Sequence, residues 1–266
     1  MKMFKEDEKV YHAKSKSGEI ISAGMLKKFK NNPIIYRMET IGLIEEQESS
    51  AYKFGSACHK YVLEGKDAFE SAYYVGELIN DKTGKPFGSD TQKVKEWETK
   101  IGKPVISTRE FQAIEEMDFE IKHFGESKEL FETGDSEMVV RGNLFGVECQ
   151  IKIDWICLGW RAAIVDLKTC QDINQFTYDF AKYDYGFNLA FYQMLASKER
   201  SEFFPVYVVA TEKLESHRCA TYKLTEDFME GKRKEVTEAI NFYKRCKENG
   251  EFTNNFRELQ FIDIKK

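Results

Sequence analysis

Hydrophobic and polar residues alternate between Glu137 and Thr169, most clearly in VECQIKIDWIC. The odd-numbered residues from Val147 to Cys157 are predicted to share one face, and Glu148, Gln150, Lys152 and Asp154 the other. Ala162–Thr169 (AAIVDLKT) predicts a second strand, with Asp166 and Lys168 on the same side, and Gly159 marks the turn between the strands. The pattern predicts two strands of a β-meander.

Helical spacing of apolar residues dominates the rest of the chain. After Ser22, the segment AGMLKKFKNNP predicts a capped helix that ends ahead of Pro33. Phe204–Thr211 is predicted to be a buried strand that pairs with His217–Lys223. The other predicted helices are Ser49–Glu64 with Gly65 as terminator, Thr91–Ile101, Thr108–Phe124, Asp172–Tyr183, Tyr185–Lys198 and Thr225–Glu248.

This order of elements predicts a mixed α/β or α+β fold with a central mixed sheet flanked by helices. We expect one domain over residues 1–266, because no linker divides the chain, and Asn80–Asp90 is predicted to be a surface loop. Its mainly helical N-terminal part is 1–135, its sheet and helices are 136–225, and its C-terminal helix and tail are 226–266.

Composition narrows the class of protein only modestly. The 266 residues are 42% hydrophobic and 32% charged, a normal globular mixture, and the net charge of −5 leaves room for a local basic channel. No apolar run approaches the ~20 residues of a membrane span, and the charged N-terminus predicts a cytoplasmic protein. The six cysteines form no C-x-x-C pair, so we expect free, mostly buried thiols.

The candidate chemistry lies between Lys152 and Lys168. Asp154 ends one strand, and the next strand offers carboxylate–x–lysine in Asp166, Leu167 and Lys168. Phosphodiester hydrolysis needs a divalent ion that activates water, and Mg²⁺ prefers a few carboxylate oxygens with retained waters. The two aspartates and the backbone carbonyl of Leu167 are candidate ligands. Lys168 is a candidate to orient or deprotonate water, with a pKa lowered by burial and by the metal.

One geometric condition decides whether these residues meet. A two-residue turn at Gly159–Trp160 would pair Asp154 with Val165 and put the two acids on opposite faces. An odd-length loop, such as Gly159-Trp160-Arg161, or a bulge brings them together. The alternative is a half-exposed hairpin whose charged residues simply face solvent. Four apolar residues before Asp166 favour a site.

These segments resemble the D…(D/E)xK nucleases, particularly their RecB-like and phage exonuclease VIII (RecE-like) branch. IVDLKTC with KIDWI upstream matches the catalytic strands, and Gly55–His59 matches the GxxxH signature. The opening ISAGMLKKFKNNPIIY is similar to the start of the phage-type proteins, and Asn188–Tyr192 stands in place of their QxxxY helix. The resemblance spans roughly Ile20 to Lys223.

The resemblance implies a restriction-endonuclease-like core and a Mg²⁺- or Mn²⁺-dependent 5′→3′ exonuclease acting on linear duplex DNA ends. It adds His59 as a metal ligand and Asn188 as a substrate contact, although asparagine departs from the usual glutamine. Relatives work with a single-strand annealing protein, and some form ring-shaped homo-oligomers. The cysteines that hold an iron–sulfur cluster in some relatives are missing, so we predict no cluster. A non-catalytic DNA-end or partner-binding module and an endonuclease are the competing interpretations.

Aromatic and basic residues suggest further contacts with nucleic acid. Aromatics crowd residues 176–192, and most are expected in the core, with Tyr185 and Tyr192 as candidates for substrate contact. The Lys27-Lys28-Phe29-Lys30 and Lys232-Arg233-Lys234 clusters are candidates for phosphate contact, although solvated helix faces are the more ordinary interpretation.

Overall fold

The computed structural model describes residues 2–44, 50–89, 91–158 and 162–253, without the side chains of residues 50–52. Its α-helices are Glu8–Lys16 (α1), Ala23–Asn31 (α2), Pro33–Thr40 (α3), Ser50–Glu64 (α4), Lys66–Ala72 (α5), Gln92–Ile101 (α6), Thr108–His123 (α7), Gly125–Glu132 (α8), Phe176–Lys182 (α9), Tyr185–Ala196 (α10) and Glu226–Asn249 (α11). Its strands are Met3–Phe4 (β1), Ile21–Ser22 (β2), Tyr74–Val75 (β3), Val105–Ile106 (β4), Gly134–Leu144 (β5), Val147–Cys157 (β6), Ala163–Cys170 (β7), Val206–Glu212 (β8) and Cys219–Lys223 (β9).

The central sheet has the strand order β1-β5-β6-β7-β8-β9, and β2 pairs with β6 outside this path. Its pairs are antiparallel except β7 with β8 and β2 with β6, which run parallel. The strands β3 and β4 form a separate small parallel sheet. The prediction of a mixed α/β fold with a central sheet flanked by helices is confirmed.

Two hydrophobic cores lie on opposite faces of the central sheet. The first packs α2, α3, α10 and α11 against it and includes Leu26, Phe29, Tyr36, Phe187, Phe191 and Ile240. The second packs α4, α5, α7 and α8 and includes Cys58, Phe69, Ile114, Met117 and Leu130. Neighbouring residues of β7 point into different cores, Ile164 into the first and Val165 into the second. This strand is therefore buried on both faces, as the apolar run before Asp166 requires.

The odd-numbered residues of β6 were predicted to share one face of the sheet, but near the end of the strand they switch to the other face. Ile151 and Ile153 belong to the first core, whereas Trp155 and Cys157 contact or join the second. The switch falls at Asp154, opposite Glu137 of β5, whose backbone is left-handed with φ 57°. A non-glycine residue in that region is uncommon, and this local distortion moves the later side chains to the other face.

The residues that were predicted to begin or end helices largely do so. The Ser22 side chain accepts a hydrogen bond from the Met25 amide and begins α2, and Gly65 follows α4 with φ 86°. Pro33 does more than end the preceding helix, because Asn32 caps a new one that begins at that proline. The predicted helix Asp172–Tyr183 is instead a short 3-10 turn, Ile173–Gln175, followed by α9.

The N-terminal part holds elements that the sequence patterns did not predict. The strands β1 and β2 each add two residues to the central sheet, and α1 lies over β6. Gln150 of β6 is fully buried and donates to the Tyr11 carbonyl oxygen at 2.8 Å and to the Ser15 hydroxyl at 2.7 Å. These bonds fix α1 to the sheet.

The six cysteines, all within the described ranges, form no disulfide bond, and all are buried except the half-buried Cys219, as predicted. Within the described ranges, no helix combines the length and the apolar character that crossing a membrane would require.

Candidate active site

Asp154 and Asp166 meet where β6 and β7 separate. The antiparallel pairing of these strands runs from Cys157↔Ala163 to Trp155↔Val165, a register that sets Asp154 opposite Asp166. Beyond that point the Asp154 side chain takes the place of a backbone partner and joins the two strands: its Oδ2 accepts a hydrogen bond from the Leu167 amide at 3.0 Å. The register meets the geometric condition for a shared site, although the predicted loop residues Gly159, Trp160 and Arg161 lie outside the described residues.

Lys168 joins the two carboxylates. Its Nζ lies 2.6 Å from Oδ2 of Asp166 and 4.0 Å from Oδ2 of Asp154, and it donates to the Leu167 carbonyl oxygen at 3.2 Å. Burial alone would lower the pKa of the Lys168 ammonium, but the charges of Asp166 and Asp154 outweigh it and raise that pKa. The two aspartate charges thus oppose the predicted lowering by burial, and Lys168 is a cation at neutral pH.

Asp166 is buried, with 6% of its surface exposed. Burial raises the pKa of its carboxyl group, the Lys168 ammonium lowers it, and the Asp154 charge raises it again. Two carboxylates thus share one ammonium in a site of low dielectric. A divalent cation would supply the missing positive charge.

His59 of α4 reaches the same site from the second core. Its Nδ1 lies 3.6 Å from Oδ2 of Asp154. Burial and the nearby Lys168 charge lower the pKa of the His59 imidazole to about 4, so the ring is neutral at pH 7. A neutral imidazole is the form that binds metal ions. The helix approaches β7 closely at Gly55, where an added Cβ would lie 3.5 Å from Thr169 Oγ1.

The donor set fits a hard divalent cation. Two carboxylates, a neutral imidazole and the Leu167 carbonyl provide oxygen and nitrogen ligands suited to Mg²⁺ with retained waters, or to Mn²⁺. Over the ranges that the structure describes, no three His, Cys, Asp or Glu side chains are already grouped closely enough to hold an ion. The Lys168 ammonium occupies this position beside the aspartates, and a bound cation would compete with it for the carboxylate oxygens.

The three predicted substrate contacts on α10 have different surroundings. Tyr185 and Tyr192 line a cleft of about 820 Å³ that also contains His59, Asp154 and Lys168. The Tyr185 ring centroid lies 5.4 Å from Lys168 Nζ. Asn188 is not among the residues that line this cleft, and its Oδ1 is buried without a hydrogen-bond partner among the described residues. The tyrosines therefore face the site, whereas the predicted contact from Asn188 gains no support.

The cleft contains residues that the sequence patterns did not single out as functional. Glu137 and Lys152 line it beside Asp154, and α1 contributes Glu8, Tyr11 and His12. Alternation had placed Lys152 on the Asp154 face of its strand, which was the available signal for that residue. The contribution of α1 depends on its packing over β6 and has no local sequence signal.

The two lysine-rich clusters are mostly paired within the protein, an arrangement that gives the candidate phosphate contacts no support. Lys30 bonds Asp184 at 3.0 Å and Glu235 at 2.9 Å, and Lys232 bonds the same two acids at 2.8 and 2.9 Å. This network ties α2 to α11 across the start of α10. Lys27 differs, because its Nζ donates to the Tyr183 carbonyl oxygen near the cleft.

A buried carboxylate fixes the chain that follows β7. Glu212 is fully buried and accepts hydrogen bonds from the Ile173 amide at 3.0 Å, from the Ser216 hydroxyl at 2.5 Å and from the Arg218 guanidinium at 2.7 and 2.9 Å. The Arg218 hydrogen bonds, opposed by burial, lower the pKa of Glu212 to about 2. These bonds position Cys170 and Gln171, which line the cleft.

Glu212→Gln is expected to destabilise the protein at pH 7 by about 1–3 kcal/mol, because the amide cannot accept all of these bonds. The depressed pKa gives a stabilisation that is present above the ordinary value of 4.5 and is lost as the pH falls toward about 2. The difference between variant and wild type should therefore shrink in urea unfolding at pH 3. Glu215→Gln, at an exposed pair with Arg109, is the matched control and should change little. A pH-independent difference would contradict the linkage.

This fold, with Asp154, Asp166 and Lys168 brought together, is consistent with the PD-(D/E)XK nuclease superfamily. The family model described as a PDDEXK-like domain of unknown function, DUF3799, matches residues 22–262. The chain belongs to this family.

Among the solved structures with a similar fold is the crystal structure of a protein from Eubacterium rectale described as a "Putative exonuclease". It shares 19% sequence identity and a TM-score of 0.66, over 98% of this chain and 97% of that one. No curated protein sequence matches the chain.

Proposed function

We propose that the protein is a Mg²⁺- or Mn²⁺-dependent deoxyribonuclease that hydrolyses phosphodiester bonds. The supporting observation is the register of β6 and β7, which sets Asp154 opposite Asp166 with the Lys168 ammonium within 4.0 Å of both. Asp154 and Lys168 line the cleft, and Asp166 is buried against the Lys168 ammonium. Two acids and one lysine are the groups that metal-assisted hydrolysis of a phosphodiester requires.

Each residue has a defined part in this mechanism. Asp154, Asp166, His59 and the Leu167 carbonyl would hold the metal ion, which supplies an activated water and charge neutralisation at the phosphate. The Leu167 amide holds the Asp154 carboxylate in place through its hydrogen bond at 3.0 Å. Lys168, released from Asp166, would direct its ammonium at the attacking water or at a phosphate oxygen. Tyr185 would guide this ammonium, since its ring lies 5.4 Å from Nζ.

We further propose exonuclease action on linear duplex ends with 5′→3′ polarity, in phage recombination in the cytoplasm. The resemblance of the GxxxH and IVDLKTC segments to the RecB-like and RecE-like branch supports this, as does the exonuclease description of the Eubacterium rectale protein. A single-strand annealing protein is the expected partner, and a homo-oligomer would be compatible with processive action.

A nuclease assay on linear and circular duplex DNA with Mg²⁺, Mn²⁺ or EDTA tests this function. We expect products only from linear DNA and only with a metal. Cutting of circles would identify an endonuclease instead. An absence of products with either metal would support the non-catalytic DNA-end or partner-binding module on the same fold.

Metal binding is expected to stabilise the folded protein. At a metal concentration of ~100 times its Kd, the gain is about 2.7 kcal/mol, which corresponds to roughly 5–10 °C in Tm for a chain of this size. Thermal melts with and without Mn²⁺ measure the shift. Asp166→Asn should remove most of it and His59→Gln part of it. An equal shift in Asp166→Asn would place the ion elsewhere.

A further inference from the structure

A second acid–base pair lines the cleft beside the metal-ligand candidates. Lys152 of β6 and Glu137 of β5 both line it, and Lys152 Nζ lies 2.5 Å from Glu137 Oε2. Their side chains are 18% and 20% exposed, so solvent screens this pair less than a surface pair. The mechanism described above uses neither residue.

The backbone at Glu137 supports a specific role for this pair. Glu137 is left-handed at φ 57°, although the pairing of β5 with β6 continues in register on both sides, from Ser136↔Trp155 to Met138↔Ile153. A left-handed residue inside a continuous ladder costs roughly 1–3 kcal/mol, and such strain concentrates at functional sites. The left-handed residue lies opposite Asp154, where the side chains of β6 switch from one face of the sheet to the other.

The charges around Lys152 explain what Glu137 does. Besides Glu137, the acids that act on Lys152 are Glu8 of α1 and Asp154, with Glu137 the strongest of the three. Without Glu137, Asp154 would be a competing partner for the ammonium two residues earlier on its own strand. Glu137 thus holds Lys152 away from Asp154, which remains available for the cation.

We propose that Lys152 contacts a backbone phosphate of DNA next to the one being cleaved, and that Glu137 holds its ammonium away from Asp154 only until DNA arrives. This inference rests on the proposed function, because the phosphate must lie in the same cleft. The position of Lys152 is the reason: its ammonium lines the cleft two residues before Asp154, a candidate metal ligand. The Glu137 carboxylate that holds this ammonium would repel an arriving phosphate. The approach of DNA favours transfer of the ammonium from the Glu137 carboxylate to the phosphate.

The test measures binding of a short fluorescein-labelled DNA duplex by anisotropy, with Ca²⁺ in place of Mg²⁺ and over a series of salt concentrations. Lys152→Met should weaken binding roughly tenfold, the scale of one charge-assisted hydrogen bond. It should also reduce the slope of log K against log salt by about 0.9, as expected for one lost phosphate contact. Lys152→Arg, which keeps the charge, should restore the slope.

Glu137→Gln should act in the opposite direction and tighten binding roughly twofold to fivefold, because it removes a repelling charge from the cleft. A merely structural pair would instead lower Tm in both variants and leave the salt slope unchanged. The control variants are Lys66→Met and Glu70→Gln, a solvent-exposed pair on α5 with Nζ and Oε1 3.9 Å apart, which should not alter binding.

The outcomes separate this inference from the proposed function. An unchanged salt slope in Lys152→Met, or shifts of the same sign in the two variants, would overturn the phosphate contact even if the wild type cleaves DNA. If the wild type cleaves nothing with Mg²⁺ or Mn²⁺ while the variants shift DNA binding as stated, the nuclease function fails and the phosphate contact stands.

Discussion

Asp166→Asn is expected to lower metal-dependent DNA cleavage by at least about 10²–10³-fold, the scale of losing one preorganised transition-state interaction. The amide keeps the shape of the buried side chain but loses the negative charge that the cation and Lys168 require. Initial rates on linear duplex DNA with Mn²⁺ measure the effect. In thermal melts without metal, the variant should stay close to the wild type, because the lost charge was itself costly to bury.

Lys168→Met removes the ammonium at the same site and should cause a similar loss, with metal binding retained. Retention of the metal-dependent Tm shift would distinguish it from Asp166→Asn. Asp179→Asn offers a matched control, since this carboxylate lines the cleft without belonging to the ligand set. Full activity in either site variant would remove the catalytic assignment.

The strands β6 and β7 could be predicted because their signal is local. Alternation in VECQIKIDWIC and the apolar run before Asp166 each report on burial within one strand, and both strands lie within two residues of the predicted bounds. Whether Asp154 faces Asp166 depends on register, which two-residue periodicity leaves open between two alternatives. Trp155↔Val165 resolves that choice in favour of a shared site.

Long-range packing explains what the sequence patterns could not predict. The strand β2 has only two residues, and its pairing of Ile21 with Cys149 joins residues 128 positions apart in the chain. The face change at Asp154 depends on the conformation of Glu137 in the neighbouring strand, and no periodicity within β6 reports it. A two-residue strand and a single distorted residue carry too little local pattern to stand out.

The lysine clusters illustrate the same limit for charged residues. Lys30 and Lys232 lie 202 positions apart in the chain, yet both bond Asp184 and Glu235. A run of lysines in the sequence shows where positive charge lies along the chain. Whether acidic side chains already neutralise that charge depends on the tertiary fold. Lys152 shows the complementary case, a single lysine whose position in the cleft gives it the larger expected role.

Gly55→Leu is expected to abolish most cleavage while Gly55→Ala retains it. An alanine Cβ at Gly55 meets Thr169 Oγ1 at 3.5 Å, an ordinary contact, and alanine favours the helix by about 1 kcal/mol. A leucine side chain extends beyond this contact, toward β7 and into the cleft that Gly55 lines, and overpacking costs about 1–3 kcal/mol. We expect α4 to shift in response, which would move His59, one turn after Gly55, away from Asp154.

Cleavage rates and the Mn²⁺-dependent Tm shift of the two variants test this argument. Gly24→Leu in α2 serves as the control, because an added Cβ there meets nothing within 4 Å and should be tolerated. If the shift in α4 displaces His59, the metal-dependent Tm shift falls in Gly55→Leu together with the cleavage rate. A Gly55→Leu variant that melts lower yet keeps the full Mn²⁺ shift would show that the ion does not depend on where α4 places His59.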